Sequence, residues 1–115
     1  MGYPKRGEIY LVNFDPTVGH EVKKSRPALI ITNDLNNELS PVLTVIPLSS
    51  NVTRVFPVDV FVAAADGLEK DSKIMVNQIR TVDKKRLIKS LCIVSNDILK
   101  RVESAIKLHF DMDTN

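Results

Sequence analysis

Five short apolar runs separated by turn residues fill most of the chain, and this pattern restricts the fold more than any other feature. Each run is shorter than an average helix and is bounded by Pro, Gly, Asn or Asp, as β-strands are. The pattern changes at residues 95–110, "SNDILKRVESAIKLHF", where apolar residues recur at helical spacing. Strands followed by a helix predict an α+β fold, a small barrel or strongly curved sheet with helical cover. The runs are EIYLVNF (8–14), PALIIT (27–32), PVLTVIPL (41–48), RVFPVDVFV (54–62) and KIMVNQIRTV (73–82).

Local signals add detail between these runs. The uninterrupted apolar character of residues 27–32 predicts a strand buried on both faces. Prolines near both ends of residues 41–48 indicate an edge strand or a bulge. Residues 33–40 predict a loop or a short helical turn, and residues 83–88 predict one helical turn. A turn is expected at Asp66-Gly67.

The final helix has a recognisable start and a recognisable buried face. Ser95 or Asn96 can cap its N-terminus, and Asp97 is favourable in the first turn. Charged residues occupy the remainder of its surface. The predicted buried face consists of Ile98, Val102, Ala105, Ile106 and His109.

Length and composition exclude several classes of protein. With 115 residues the chain is expected to form a single domain spanning residues 1–115. Cys92 is the single cysteine, which excludes an internal disulfide and a Cys-rich metal site, and it is expected to be a small buried hydrophobe. His20 and His109 have no partners at ligand spacing, so neither a metal nor another cofactor is expected. No apolar run approaches the roughly 20 residues of a membrane span, and a cytoplasmic protein is expected.

The charge of the chain directs attention to local patches. A formal net charge of +2 is too small to indicate nucleic-acid binding by overall electrostatics. A phosphate-bearing partner would have to meet a basic cluster, and each cluster could equally be ordinary solvated surface. The two clusters are Lys23/Lys24/Arg26 and Lys84/Lys85/Arg86/Lys89.

The stretch "VGHEVKKSRPALIITND" (18–34) places acid, base and cation directly before an apolar strand. His20 and Glu21 are residue types that can accept a proton in catalysis. Arg26 can direct two hydrogen bonds onto a phosphate, and Pro27 forces its backbone to be extended. A strand end that holds an arginine at the mouth of a loop is suited to binding a phosphodiester. The plain alternative is that Glu21 forms a surface ion pair with Lys23 or Arg26.

The segment "RGEIYLVNFDPTVGHEVKKSRPALIITND" resembles the N-terminal signature of the MazF/PemK/Kid family of toxin endoribonucleases. The similarity continues through "SPVLTVIPLSS" and "QIRTVDKKRL" and covers nearly the whole chain. The resemblance implies a small SH3-like barrel of the CcdB/PemK type, with helices. It also implies metal-independent cleavage of single-stranded RNA at short motifs by a homodimer whose RNA channel crosses the dimer. An acidic antitoxin is the expected protein partner, and no membrane is involved.

The resemblance also assigns residues. Arg26 matches the catalytic arginine before proline, and Ser49 matches a position that is usually threonine; with Glu21 they form the expected catalytic set. Arg26 and the Ser49 hydroxyl would stabilise the charged phosphorane formed by attack of the 2′-hydroxyl. The products would be a 2′,3′-cyclic phosphate and a 5′-hydroxyl. Either Glu21 or His20 is the general base, or both only contact bases and 2′-hydroxyls of the RNA. The expected RNA-binding residues are His20, Lys23, Lys24, Asn33, Asn36, Ser50, Asn77, Gln78 and Arg80.

Two other functions are compatible with a fold of this type. One is a toxin that poisons DNA gyrase without catalysis through a C-terminal end with a prominent Trp, but this chain has no Trp. The other is an RNA-binding module without chemistry, since a fold does not by itself imply a function. Incubation with single-stranded RNA in EDTA separates cleavage from binding.

Overall fold

The structure is a computed structural model and describes residues 2–64 and 67–113. Seven strands precede the C-terminal helix, and a short helix follows the second strand. Two single turns of 3-10 helix, Val76–Gln78 and Lys84–Arg86, flank the sixth strand. The elements are β1 (Glu8–Asn13), β2 (Ser25–Ile30), α1 (Asp34–Leu39), β3 (Val42–Ser49), β4 (Asp59–Val62), β5 (Ser72–Met75), β6 (Arg80–Asp83), β7 (Leu87–Ile93) and α2 (Asn96–His109).

The strands form one antiparallel sheet in the order β4-β5-β3-β2-β1-β7, with β6 also paired to β3. β3 is therefore an interior strand. One edge of β3 pairs with β2, while the other pairs with β6 near its start and with β5 at Leu48 and Ser49. The curved antiparallel sheet and its C-terminal helix confirm the predicted α+β fold.

Two hydrophobic cores lie on opposite sides of the sheet, and the central strands contribute to both. In β2, Leu29 belongs to one core, whereas Ala28 and Ile30 belong to the other. This explains the uninterrupted apolar run of β2 and confirms that its end is buried on both faces. We call the two cores the helix-side core and the loop-side core. The helix-side core includes Ile9, Leu29, Ile46, Leu48, Ile74, Ile98 and Val102. The loop-side core includes Val12, Phe14, Val22, Ala28, Ile30, Leu43, Val45 and Val82.

Several strand predictions were wrong in their limits. The 73–82 run is two strands, β5 and β6, separated by the 3-10 turn at Val76–Gln78. The 54–62 run is strand only from Asp59, because the Asp59 carboxylate accepts a hydrogen bond from the Phe56 N–H and closes a turn before it. β7 was not predicted at all. Its apolar residues do not alternate regularly, and its pairing with β1 contains two register shifts.

The prediction that residues 41–48 form an edge strand was also wrong. Pro47 is buried inside β3 and lies opposite Ala28 of β2. On the other edge, the pairing with β6 ends at Val45 and the pairing with β5 begins at Leu48. The 3-10 turn lies against β3 between these two pairings, which is where a proline without an N–H is tolerated.

Helix α2 begins as predicted and ends differently. The Ser95 side chain accepts a hydrogen bond from the Ile98 N–H, which makes Ser95 the N-cap, and Ile98, Val102 and Ala105 are buried. His109 is exposed, contrary to the prediction, and its ring packs edge-on against the Phe110 ring at a centroid distance of 4.9 Å. The last turn of α2 extends past the core, since Leu108 is also exposed.

The remaining predictions concern turns, Cys92 and membrane spans. Residues 84–86 form the predicted helical turn, and α1 forms the short helix allowed for residues 33–40. Gly67 has a positive φ of 112°, while Asp66 lies outside the described residues. Cys92 is partly buried against the helix-side core, and its Cβ is so near Gly67 that a side chain at position 67 would collide with it. Within the described part of the chain, no helix could cross a membrane.

Candidate active-site groove

The loop between β1 and β2, residues 14–24, is anchored at both ends. Phe14 and Val22 are buried in the loop-side core. The Phe14 N–H donates to the Lys24 carbonyl at 2.9 Å, and the Asp15 carboxylate accepts the Lys24 N–H at 2.9 Å. Residues 18–21 are exposed and project from these anchors. The loop is therefore a shaped projection at the start of β2.

A groove of about 670 Å³ lies beside this loop. Its walls come from the start of β2, the end of β3, the segment before β5, and β7. Apolar contacts from Leu11, Pro27, Leu48, Leu68 and Leu91 form part of its surface. The polar residues that line it are Lys24, Ser25, Arg26, Ser49, Ser50, Glu69, Lys70, Ser72 and Lys89.

Sheet register brings Arg26 and Ser49 to the same part of the groove. β2 pairs with β3 so that Ala28 lies opposite Pro47, and continuing this antiparallel register places Arg26 opposite Ser49. Both residues are partly exposed and line the groove. Two residues widely separated in sequence, both expected to be catalytic, thus converge on one surface.

Both side chains retain donors that no other described residue accepts. The Arg26 Nε donates to the Lys23 carbonyl at 3.1 Å, and among the described residues neither of its Nη atoms donates a hydrogen bond. The Ser49 Oγ accepts the Asn51 N–H at 3.1 Å, so the hydroxyl proton remains able to donate. A guanidinium and a hydroxyl are therefore available to an anionic ligand.

The groove is cationic. Among the described residues, four cations and one carboxylate line it: Lys24, Arg26, Lys70 and Lys89, with Glu69. Sequence reasoning assigned Lys89 to the second basic cluster and did not find Lys70. The structure divides that second cluster: Lys89 enters the groove, Arg86 contacts the 14–24 loop, and Lys84 donates to the Glu38 carbonyl at 3.3 Å. Only the unpredicted strand β7 could have indicated that Lys89 lines the same groove as Arg26.

A second polar surface lies at the tip of the 14–24 loop. The Gln78 side-chain nitrogen approaches the His20 carbonyl at 3.5 Å, which brings the loop tip to the 3-10 turn that also carries exposed Asn77. The Arg80 guanidinium lies over the Phe14 ring at 5.4 Å from its centroid. The groove is not lined by any of the four predicted RNA-binding residues on this surface, His20, Asn77, Gln78 and Arg80.

Glu21 is held by its own loop. Its carboxylate accepts the Val18 N–H at 2.7 Å, and Glu21 does not line the groove. Among the described residues its carboxylate forms no ion pair, so the alternative of a surface pair with Lys23 or Arg26 was wrong. Lys23 is exposed and contributes its carbonyl to Arg26.

Asn33 and Asn36 lie away from the groove, at the other end of β2. The Asn33 side chain accepts the Asn36 N–H at 2.9 Å and caps α1. The Asn36 amide donates to the Val42 carbonyl at 3.1 Å. The structure therefore does not bring these two residues together with Arg26 and Ser49.

Metal-ligating groups and shifted pKa values add little to the site. Within residues 2–64 and 67–113, no three His, Cys, Asp or Glu side chains gather closely enough to hold a metal ion. Partial burial raises the pKa of the Tyr10 phenol, with a smaller contribution from Glu8. Tyr10, on β1, packs against the loop-side core.

Comparison with known proteins gives a consistent assignment. Residues 5–110 match the family described as PemK-like, MazF-like toxin of type II toxin-antitoxin system. The chain is 37% identical over 114 residues to endoribonuclease MazF9 of Mycobacterium tuberculosis, covering 94% of this chain and 97% of that protein. It is 34% identical over 106 residues to endoribonuclease EndoA of Bacillus subtilis, covering 90% and 91% of the two chains.

A solved structure shares the fold. The crystal structure of MazF from Deinococcus radiodurans superposes with a TM-score of 0.87 at 24% identity, covering 97% of this chain and 100% of that chain. At 24% identity, this likeness shows that the two chains share a fold, and it carries no evidence of function. The match over residues 5–110, together with two relatives above 30% identity along nearly their whole length, shows that the chain belongs to the PemK-like, MazF-like family of type II toxin–antitoxin toxins.

Proposed function

We propose that this protein is an endoribonuclease toxin that cleaves single-stranded RNA in the groove beside the 14–24 loop. The observation that carries the proposal is the convergence of Arg26 and Ser49, with unused donors, on a groove lined by further cations. The relatives MazF9 and EndoA are endoribonucleases, which supports the same activity here.

RNA supplies its own nucleophile, so the protein needs no covalent residue. A base removes the 2′-hydroxyl proton, the 2′-oxygen attacks phosphorus, and the bond to the 5′-oxygen breaks as that oxygen takes a proton. Arg26 and the Ser49 hydroxyl donate to the non-bridging oxygens as negative charge grows there. Arg26 acts electrostatically, since a guanidinium cannot be deprotonated in proteins.

Two carboxylates are candidates for the base, and they differ in position. Glu69 lines the groove, whereas Glu21 is hydrogen-bonded to the Val18 N–H at the loop tip. Glu21 or His20 would have to turn toward the groove when RNA binds. Comparison of Glu21→Gln, His20→Gln and Glu69→Gln assigns the role, because only loss of the base removes the acidic limb of the pH–rate profile.

The proposed reaction is tested by incubating the purified protein with a long single-stranded RNA in EDTA. We expect discrete fragments that carry 2′,3′-cyclic phosphate and 5′-hydroxyl ends. A 5′-phosphate product would contradict attack by the 2′-hydroxyl. Intact RNA with an electrophoretic shift would contradict the nuclease and indicate the binding module.

The proposal includes two protein partners and a cytoplasmic place of action. An acidic antitoxin fits the cationic groove and should compete with RNA, as expected for a toxin of a type II system.

A second copy of the chain would join two such grooves, since a two-fold interface repeats the same patch. Leu108 on the outer face of α2 is 59% exposed and is a candidate contact of that dimer. Sedimentation at micromolar concentration tests the dimer, and a fully active monomer would exclude it.

A further inference from the structure

Arg86 binds the base of the 14–24 loop from a distant part of the sequence. Its Nη1 donates to two backbone carbonyls, that of Asn13 at 3.0 Å and that of Asp15 at 2.6 Å. Arg86 ends the 3-10 turn that leads into β7, and it does not line the groove. We infer that Arg86 is a positioning residue that orients Arg26 for RNA cleavage through Asp15, an inference that rests on the function proposed above.

Three consecutive hydrogen-bonded contacts connect the two arginines. Arg86 holds the Asp15 carbonyl. The Asp15 carboxylate accepts the Lys24 N–H at 2.9 Å, and the carbonyl of the preceding residue, Lys23, accepts the Arg26 Nε–H at 3.1 Å. The peptide between Lys23 and Lys24 is thus held on one side by Asp15 and on the other by Arg26.

The backbone at this peptide needs such support. Lys24 has φ of 64°, a left-handed conformation that is uncommon for a residue with a side chain. The Asp15 carboxylate and the Phe14 N–H both bind Lys24, and these bonds stabilise the conformation. The left-handed conformation of Lys24 sets the direction of the Lys23 carbonyl, and that carbonyl in turn orients the Arg26 guanidinium.

An arginine is suited to this role because its planar guanidinium keeps a fixed direction between two carbonyls. Lysine carries the same charge on a flexible stem and cannot reproduce that geometry. Small displacements of a group that contacts the transition state lower the rate steeply, by roughly a hundredfold per ångström. Loss of the Arg86 contacts should therefore act on the chemical step and leave RNA affinity largely intact.

The competing explanation is that Arg86 contacts an RNA phosphate directly as part of its basic cluster. The two explanations predict different kinetics. A phosphate contact is partly replaced by lysine, and its loss raises KM and lowers the dependence of KM on salt concentration. A positioning role is not replaced by lysine, and its loss lowers kcat.

The experiment compares Arg86→Lys, Arg86→Gln and Asp15→Ala with a matched control, Arg101→Lys. Arg101 is also an exposed arginine that donates to a backbone carbonyl, that of Phe61 at 3.2 Å, but it lies on α2 and does not line the groove. We expect kcat to fall roughly 10- to 100-fold in the first three variants, with KM within about twofold, and no change in the control. A raised KM with unchanged kcat in Arg86→Lys would overturn the inference.

A readout without RNA separates this inference from the proposed function. In the free protein, the Arg26 Nε–H should be observable by NMR with slow solvent exchange, because it is hydrogen-bonded to the Lys23 carbonyl. Arg86→Lys should accelerate that exchange at least about tenfold while circular dichroism and the melting temperature show a folded protein. Unchanged exchange would overturn the inference. Absence of RNA cleavage by the unaltered protein would instead overturn the proposed function.

Discussion

Two polar clusters lie at the two ends of β2, and they serve different purposes. At the far end, Asn33, Asn36 and Asn37 direct their side chains to nearby backbone groups, including the Thr32 carbonyl that accepts from Asn37 at 2.7 Å. At the near end, Arg26 keeps its Nη donors available to the groove. A polar cluster beside a strand is therefore functional or structural according to where its donors point.

Burial follows the same division. Asn37 is completely buried, and the far cluster holds the short helix α1 against β3. Arg26 and Ser49 are partly exposed, with the cations Lys70 and Lys89 beside them. We therefore expect substitutions at the near end to change catalysis and substitutions at the far end to change stability. Four predictions test this separation.

The largest effect is expected for Arg26→Ala. Loss of a transition-state donor should reduce kcat by about 10²- to 10³-fold, because the cationic guanidinium that stabilises the negative charge on the phosphorane oxygens is removed. Arg26→Lys should also be poor, since a point charge cannot replace the planar donor. The melting temperature should change little in either variant. A folded Arg26→Ala protein with near-normal cleavage would remove Arg26 from the mechanism.

Asn37→Ala should show the opposite behaviour. The Thr32 carbonyl would lose a buried partner, and the free energy of unfolding should fall by about 1–3 kcal/mol. The value of kcat per folded molecule should be unchanged. Urea titration and a cleavage assay measure the two quantities, and Glu38→Ala, exposed on the same helix, is the matched control. A loss of kcat in a stable Asn37→Ala protein would contradict the division between a catalytic cluster at one end of β2 and a structural cluster at the other.

Ser49→Ala should lower kcat at least about tenfold, corresponding to about 1.4 kcal/mol, because a hydroxyl donor to the phosphorane is lost. Ser49→Thr should be tolerated, since the hydroxyl is kept. Ser50→Ala is the neighbouring control in the same groove. If Ser50→Ala is the more damaging change, the catalytic hydroxyl belongs to Ser50.

Asn33→Ala should have the smallest effect, a loss of about 1 kcal/mol of stability through removal of the α1 cap. Asn33→Ser should restore most of that stability, since serine caps helices well. The rate of RNA cleavage should be the same in the unaltered protein, Asn33→Ala and Asn33→Ser. Reduced cleavage in both variants at unchanged stability would favour the RNA-binding role predicted for Asn33.

The elements with regular local patterns could be predicted from the sequence. β1, the apolar end of β2 and the buried face of α2 follow from periodicity and capping. β7 could not be predicted, because its irregular alternation reflects a bulged pairing with β1, far away in the sequence. The position of His109 depends on where the core ends, and no local pattern carries that information.

The site was predictable only in part for a similar reason. Arg26 was singled out by its place before Pro27 and Ser49 by resemblance to a family, and the β2–β3 register, when continued, places them opposite each other. Lys70 was missed because it lies in a connection whose position depends on the finished sheet. The direction of a side chain is also invisible in sequence: Glu21 binds its own loop, whereas Glu69, which carried no signal, lines the groove.

The pairing of β1 with β7 also has a consequence for biosynthesis. The first strand is made early, but one of its two neighbours is β7, the last of the seven described strands in chain order. Lys89 and Leu91 on β7 complete a wall of the groove, and Arg86 just before them holds the loop. Pairing over such a sequence separation forms late. A nascent chain therefore carries Arg26 and Ser49 before it has a groove, and the proposed toxic activity begins only after β7 has been made.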